Sequence, residues 1–90
     1  MHPPHHLKLY TAASYAIRVQ GYLDSSWSDR MGGVAIQANR RPDGALETVL
    51  IGDFQDQAAL TGVLNTLYDL GLPLLSVECL AVESQKQSPP

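Results

Sequence analysis

From Ser14 to Leu23 apolar and polar positions alternate. Tyr15, Ile17, Val19 and Leu23 fall on one face, and Ala16, Arg18, Gln20 and Tyr22 on the other. A period of two with one apolar face predicts a half-buried strand. Gly21 interrupts it and marks a bulge or a close backbone approach. The stretch Asp24–Gly33 abandons the alternation. Asp24 or Ser25 can cap a short helix, Trp27 and Met31 lie four apart on one side of it, and Gly32 or Gly33 supplies the positive φ that ends it. Alternation returns over Val34–Asn39, with Val34, Ile36 and Ala38 on one face. Arg41-Pro42-Asp43-Gly44 is the strongest turn signal: proline presets φ at the second position, aspartate tolerates the third and glycine the fourth. The chain comes back over Leu46–Ile51, where Thr48-Val49-Leu50-Ile51 reads as apolar on both faces and leaves the register open.

The clearest helix follows. Leu60, Val63, Leu64, Leu67 and Leu70 keep the spacing of one helical face. Asp53 or Asp56 caps its start, Gly71 ends it and Pro73 blocks continuation. Gly62 inside the helix costs about 1 kcal/mol against alanine, so close packing on the sheet is the expected reason for it. The last strand is Leu74–Ala81, with Leu75, Val77 and Cys79 alternating against Ser76 and Glu78.

The order strand, short helix, strand, strand, long helix, strand predicts an α+β domain. Its sheet has four mainly antiparallel strands and the long helix lies on one face. A ferredoxin-like plait with a reduced first helix is the alternative topology. A crossover between parallel strands needs a dozen or more residues, and about ten separate Leu23 from Val34. A meander for the first three strands is therefore expected, with the helix returning the fourth strand parallel to the first. Residues 1–13, with two prolines and three histidines, read as a flexible arm, residues 14–82 as the single domain, and residues 83–90 as a disordered tail.

Composition narrows the function classes. Ninety residues make one domain with a modest core. Charged residues are 17%, below the globular average, which hints at self-association. The net charge is −3, and the six Lys and Arg are scattered, so the basic footprint of a nucleic-acid binder is missing. The single cysteine, Cys79, fits a reducing, cytoplasmic setting and reads as a small buried hydrophobe. The N-terminus lacks the pattern of a signal peptide, and no apolar run is long enough to cross a membrane.

Candidate chemistry is sparse. His2, His5 and His6 all sit in the arm, and a closed metal site needs rigidly oriented ligands, so neither a metal nor a cofactor is expected. With no histidine in the folded unit, a Ser–His or Cys–His nucleophile pair is excluded there. Asp24 and Asp29 flank the tryptophan and could do acid–base work, although helix capping explains Asp24. No phosphate loop is present.

Several segments carry a resemblance. Val19-Gln20-Gly21-Tyr22-Leu23-Asp24 with Trp27-Ser28-Asp29, Asp56-Gln57-Ala58-Ala59-Leu60-Thr61-Gly62-Val63-Leu64, and Leu70-Gly71-Leu72-Pro73-Leu74-Leu75-Ser76-Val77 resemble a group of small bacterial proteins of unassigned function. Tyr22 and Thr61 stand where many of that group carry histidine, so no role of those histidines transfers. The resemblance implies a shared fold and supplies no reaction.

The leading expectation is a non-enzymatic homodimeric module that binds a partner or small ligand. The expected dimer contact is the open sheet face: Ala16, Arg18, Gln20, Tyr22, Ala35, Gln37, Ser76, Glu78 and Leu80. Its interface or ligand candidates are Arg18, Gln20, Tyr22, Trp27 and Gln37. The enzymatic alternative places a site among Trp27, Asp24, Asp29, Arg18 and Tyr22. A third reading is a structural or regulatory subunit of a larger complex.

Overall fold

A computed structural model describes residues 11–82. The elements are β1 (Ala13–Gln20), a 3-10 helix (Ser25–Met31), β2 (Ala35–Arg40), β3 (Leu46–Phe54), α1 (Gln57–Asp69) and β4 (Leu74–Val82). Residues 1–10 of the expected arm, with all three histidines, and the expected tail at residues 83–90 lie outside the described residues. Ala13, assigned to the arm from sequence, is buried and opens β1.

The four strands form one antiparallel sheet in the order β2-β3-β1-β4. This is the reduced ferredoxin-like plait, and it corrects the meander. Ile17 faces Leu50 of β3 on one side and Val77 of β4 on the other, so β1 is a central strand flanked by β3 and β4. The connection from Gln20 to Ala35 crosses β3, because the loop and the 3-10 helix together reach the length of a crossover. Strand β4 is antiparallel to β1, not parallel as expected. A crossover helix returns the chain parallel to the strand it left, which here is β3, and β3 runs opposite to β1.

Local chemistry explains the boundaries. The Asp56 side chain accepts from the Ala59 amide at 2.8 Å and caps α1. Gly71, at φ 78°, donates to the Tyr68 carbonyl while Leu72 donates to that of Leu67, a Schellman ending that needs a residue without Cβ. In the β2–β3 hairpin the Gly44 amide donates to the Arg41 carbonyl at 2.8 Å, as the Pro-Asp-Gly turn requires.

The core lies between α1, the 3-10 helix and the inner sheet face. Tyr15, Ile17, Val19, Leu23, Met31, Val34, Leu50, Phe54, Leu60, Val63 and Leu67 are buried. Leu64, central to the helical stripe, is half-buried and packs at the core's margin. Gly62 does not pack closely on the sheet: a Cβ there would meet nothing within 4 Å. Its neighbourhood is an open cleft, so close packing is not its reason.

Candidate functional site

The sequence-derived candidates separate into three places. Arg18 and Gln37 lie on the outer sheet face, where the cross-strand register is Ser76–Arg18–Val49–Gln37, and Gln20 follows Arg18 on the same side of β1. The Arg18 guanidinium donates to the Glu47 carboxylate. Ser14 donates to Asp53 at 2.6 Å on that face as well. Between them the face carries Ala16, Ile51 and Ala35 in one register and Val49 in the next. This is the sheet face opposite the core, and it carries cross-strand polar pairs and small apolar groups.

Tyr22 and Asp24 stand in the loop after β1. The Tyr22 hydroxyl donates to Asp24 at 3.3 Å, and the Ser26 hydroxyl donates to the same carboxylate. The Ser26 hydrogen bond holds the Asp24 carboxyl below its ordinary range. Asp24 is an ionised hydrogen-bond acceptor, and its shift is opposite to the one a general acid needs. Asp29 is exposed on the 3-10 helix.

Trp27 is the third place. It is half-buried against the core, and the Arg30 guanidinium lies 5.0 Å from its ring centroid. A cation–π contact at such a partly exposed position is worth about 0.5–1 kcal/mol. The indole therefore contacts both the core and Arg30. Arg18, Gln20 and Gln37 share one face, whereas Tyr22 and Trp27 belong elsewhere.

Two features were missed from sequence. Thr48 is fully buried; its hydroxyl accepts from the Leu23 amide at 3.1 Å and donates to the Gly21 carbonyl at 2.7 Å. It pins the loop after β1 to β3, and a hydroxyl within the run Thr48–Ile51 was the available signal. The second is a cleft of about 440 Å³ between the end of the 3-10 helix, the end of β3 and α1. Met31, Phe54 and Val63 form its apolar floor. The polar groups at its edge are Arg30, which lies over Trp27, Asp53, which accepts from Ser14, Thr66, which donates to the Gly62 carbonyl, and Gln55.

Other polar chemistry is also structural. The Tyr15 hydroxyl accepts from Gln57 at 3.4 Å, and burial pushes its pKa up, with Cys79 adding to the shift. Cys79, expected to be buried, is exposed, because β4 is an edge strand and α1 packs over β3 rather than over it. Among the described residues no three His, Cys, Asp or Glu side chains converge on a metal position, and no helix is long and apolar enough to cross a membrane.

The exposed apolar residues form the most coherent surface feature. Nine large hydrophobic residues are exposed among the described residues, and six fall between positions 68 and 80: Tyr68, Leu70, Leu74, Leu75, Val77 and Leu80. They occupy the C-terminal end of α1 and the length of β4. A shallow groove of about 170 Å³, lined by Leu64, Leu67, Tyr68, Leu72, Pro73 and Leu74, joins the two.

No curated protein and no solved structure matches the chain. The family model of a domain of unknown function, DUF8691, matches residues 14–78, from the start of β1 to the middle of β4, and the chain belongs to that family.

Proposed function

We propose that the protein is a non-enzymatic binding module that works as a homodimer. The gathering of six exposed apolar residues on β4 and the end of α1 carries the reading. Isolated exposed leucines need no explanation, but a contiguous apolar surface rimmed by polar groups marks an interaction site. Leu74 and Leu80 are each about half exposed, and Leu75 and Val77 about two-fifths. Covering these four on both copies returns roughly 5–10 kcal/mol, set against the freedom lost on association.

The remaining surface supports binding rather than catalysis. Asp24 is held ionised, the Tyr15 hydroxyl is hydrogen-bonded to Gln57, and three of the polar residues beside the cleft at Gly62 are tied to neighbours. The exposed thiol of Cys79 fits a reducing, cytoplasmic setting. Size-exclusion chromatography with light scattering tests the reading. A mass of twice the chain at micromolar concentration is expected, and a monomer persisting to high micromolar concentration overturns it.

A further inference from the structure

We propose that two copies join edge to edge. Strand β4 of one chain pairs antiparallel with β4 of a second copy about a two-fold axis, joining two four-stranded sheets into one of eight. The inference rests on the homodimer reading and adds where the contact lies.

The two sheet edges differ in kind. Strand β2 has six residues, and Gln37, Asn39 and Arg40 are exposed along it. Strand β4 has nine residues, a single charge at Glu78, and no lysine, arginine or proline. Unprotected edge strands present unpaired backbone groups, and proteins blunt them with charge, proline or bulges. The register shifts of β4 against β1 fall toward its two ends and leave Ser76–Cys79 regular. What separates the edges is apolar exposure: Leu74, Leu75, Val77 and Leu80 are exposed large hydrophobic residues on β4, whereas β2 has none and ends in Arg40.

The occupant follows from the faces. Val77 and Cys79 point to the helix side, beside Ile17 and Tyr15, yet both are exposed because α1 does not cover them. Ser76 and Glu78 point to the outer side, beside Arg18 and Ala16. A partner strand must match a long strand that is apolar towards the helix layer and nearly uncharged outside. β2 is three residues shorter and exposes no large hydrophobic side chain, so it leaves part of that edge uncovered; a second β4 matches its length and its exposed leucines. Two-fold pairing is self-complementary by construction.

The single charge selects the register. An axis at Glu78 would set two carboxylates directly opposite, which is unfavourable in a cross-strand pair. An axis at Val77 instead sets Glu78 opposite Ser76 of the partner subunit and Leu74 opposite Leu80 of the partner subunit. The second pairing brings an aliphatic side chain to the groove at Leu72–Leu74. Each copy then closes the other's groove.

The test uses the full chain in three forms followed by sedimentation and light scattering. Leu80→Lys should raise the dimer dissociation constant about tenfold or more, with the circular-dichroism spectrum of the folded protein retained. Ile51→Lys, on the outer face, should leave the dimer intact. A third variant does not depend on how lysine is tolerated. Facing Cα atoms in an antiparallel pair lie about 4.5–5.5 Å apart, within the span of a disulfide. Val77→Cys in a Cys79→Ser background should therefore crosslink under mild oxidation, whereas the wild type, with Cys79 opposite Leu75 of the partner subunit, should not. A wild-type monomer overturns the homodimer reading and this inference with it. A dimer that Ile51→Lys dissociates and Leu80→Lys does not puts the contact on the outer face and overturns the edge pairing alone. A stable dimer in which Val77→Cys fails to crosslink overturns it as well.

Discussion

The same substitution, glycine to alanine, should have opposite effects at two positions ten residues apart. Gly62 lies inside α1, its φ is not positive, and an added Cβ would meet nothing within 4 Å. Glycine in a helix interior costs about 0.8–1 kcal/mol against alanine, chiefly because the unfolded chain has more freedom to lose. Gly62→Ala should therefore stabilise by about 0.5–1 kcal/mol. In a domain of this size that raises the midpoint of thermal unfolding by about 3–6 °C. Gly52 lies in β3 with its missing side chain aimed at Val34. A Cβ there would stand 2.7 Å from Val34 Cγ1 and 3.2 Å from Val34 Cα. Val34 is buried and β-branched, so it has little rotamer freedom with which to retreat. Overpacking of this kind costs about 1–3 kcal/mol, so the two variants should differ by about 1.5–4 kcal/mol. Urea denaturation by circular dichroism measures the difference directly. A destabilised Gly62→Ala would refute the open space beside α1, and a stabilised Gly52→Ala would refute the close approach of Val34 to β3.

Three further outcomes follow from the core. Thr48→Val should cost about 1–3 kcal/mol, because the Leu23 amide and the Gly21 carbonyl lose their partner in a buried place; Thr48→Ser should recover most of it in the same denaturation assay. Leu67→Ala should cost about 2–5 kcal/mol, while exposed Asn65→Ala should change stability by less than about 0.5 kcal/mol; equal midpoints would show the phase of α1 to be wrong. The raised pKa of Tyr15 means that the folded state holds its proton more tightly than the unfolded state. That contribution is complete below pH 10 and is lost as pH climbs through the folded value. Alkaline titration of stability should show this loss in the wild type and a smaller one in Tyr15→Phe.

How far the sequence was legible depended on whether local chemistry decided the outcome. Helix α1 was readable because its stripe, the Asp56 cap and the Gly71 ending all act within a few residues. The hairpin at Pro42-Asp43-Gly44 was readable for the same reason. Strand order was not, because alternation shows which face is apolar and is blind to which strand lies alongside. Hence β1 was paired with β2 when its neighbours are β3 and β4. The same blindness misplaced Cys79: its alternation with Val77 correctly implied a shared face, but only the position of α1 reveals that the helix leaves the β4 edge of that face uncovered. The candidate residues fared accordingly. Arg18, Gln20 and Gln37 were correctly grouped on the outer face, since a strand's period settles that. Tyr22 and Trp27 depend on the path of the loop and the 3-10 helix, which no periodicity describes.

Ala13 and Val82 face each other across β1 and β4, so the folded unit starts and finishes at one corner of the sheet. A few residues joining them would make the chain circular, and the exposed turn at Arg41–Gly44 offers a place to reopen it. In the natural order β2 and β3 are joined by a short turn, while the β1–β4 ladder has to close a loop that contains all the other elements. Loop closure costs more entropy as the loop grows, so the hairpin is the cheaper ladder to form first. In the permuted chain the two ladders exchange roles: β4 and β1 become a local hairpin, and β2 and β3 become the ends of the chain. The native contacts are the same in both chains, but the ladder that closes last should change from β1–β4 to β2–β3.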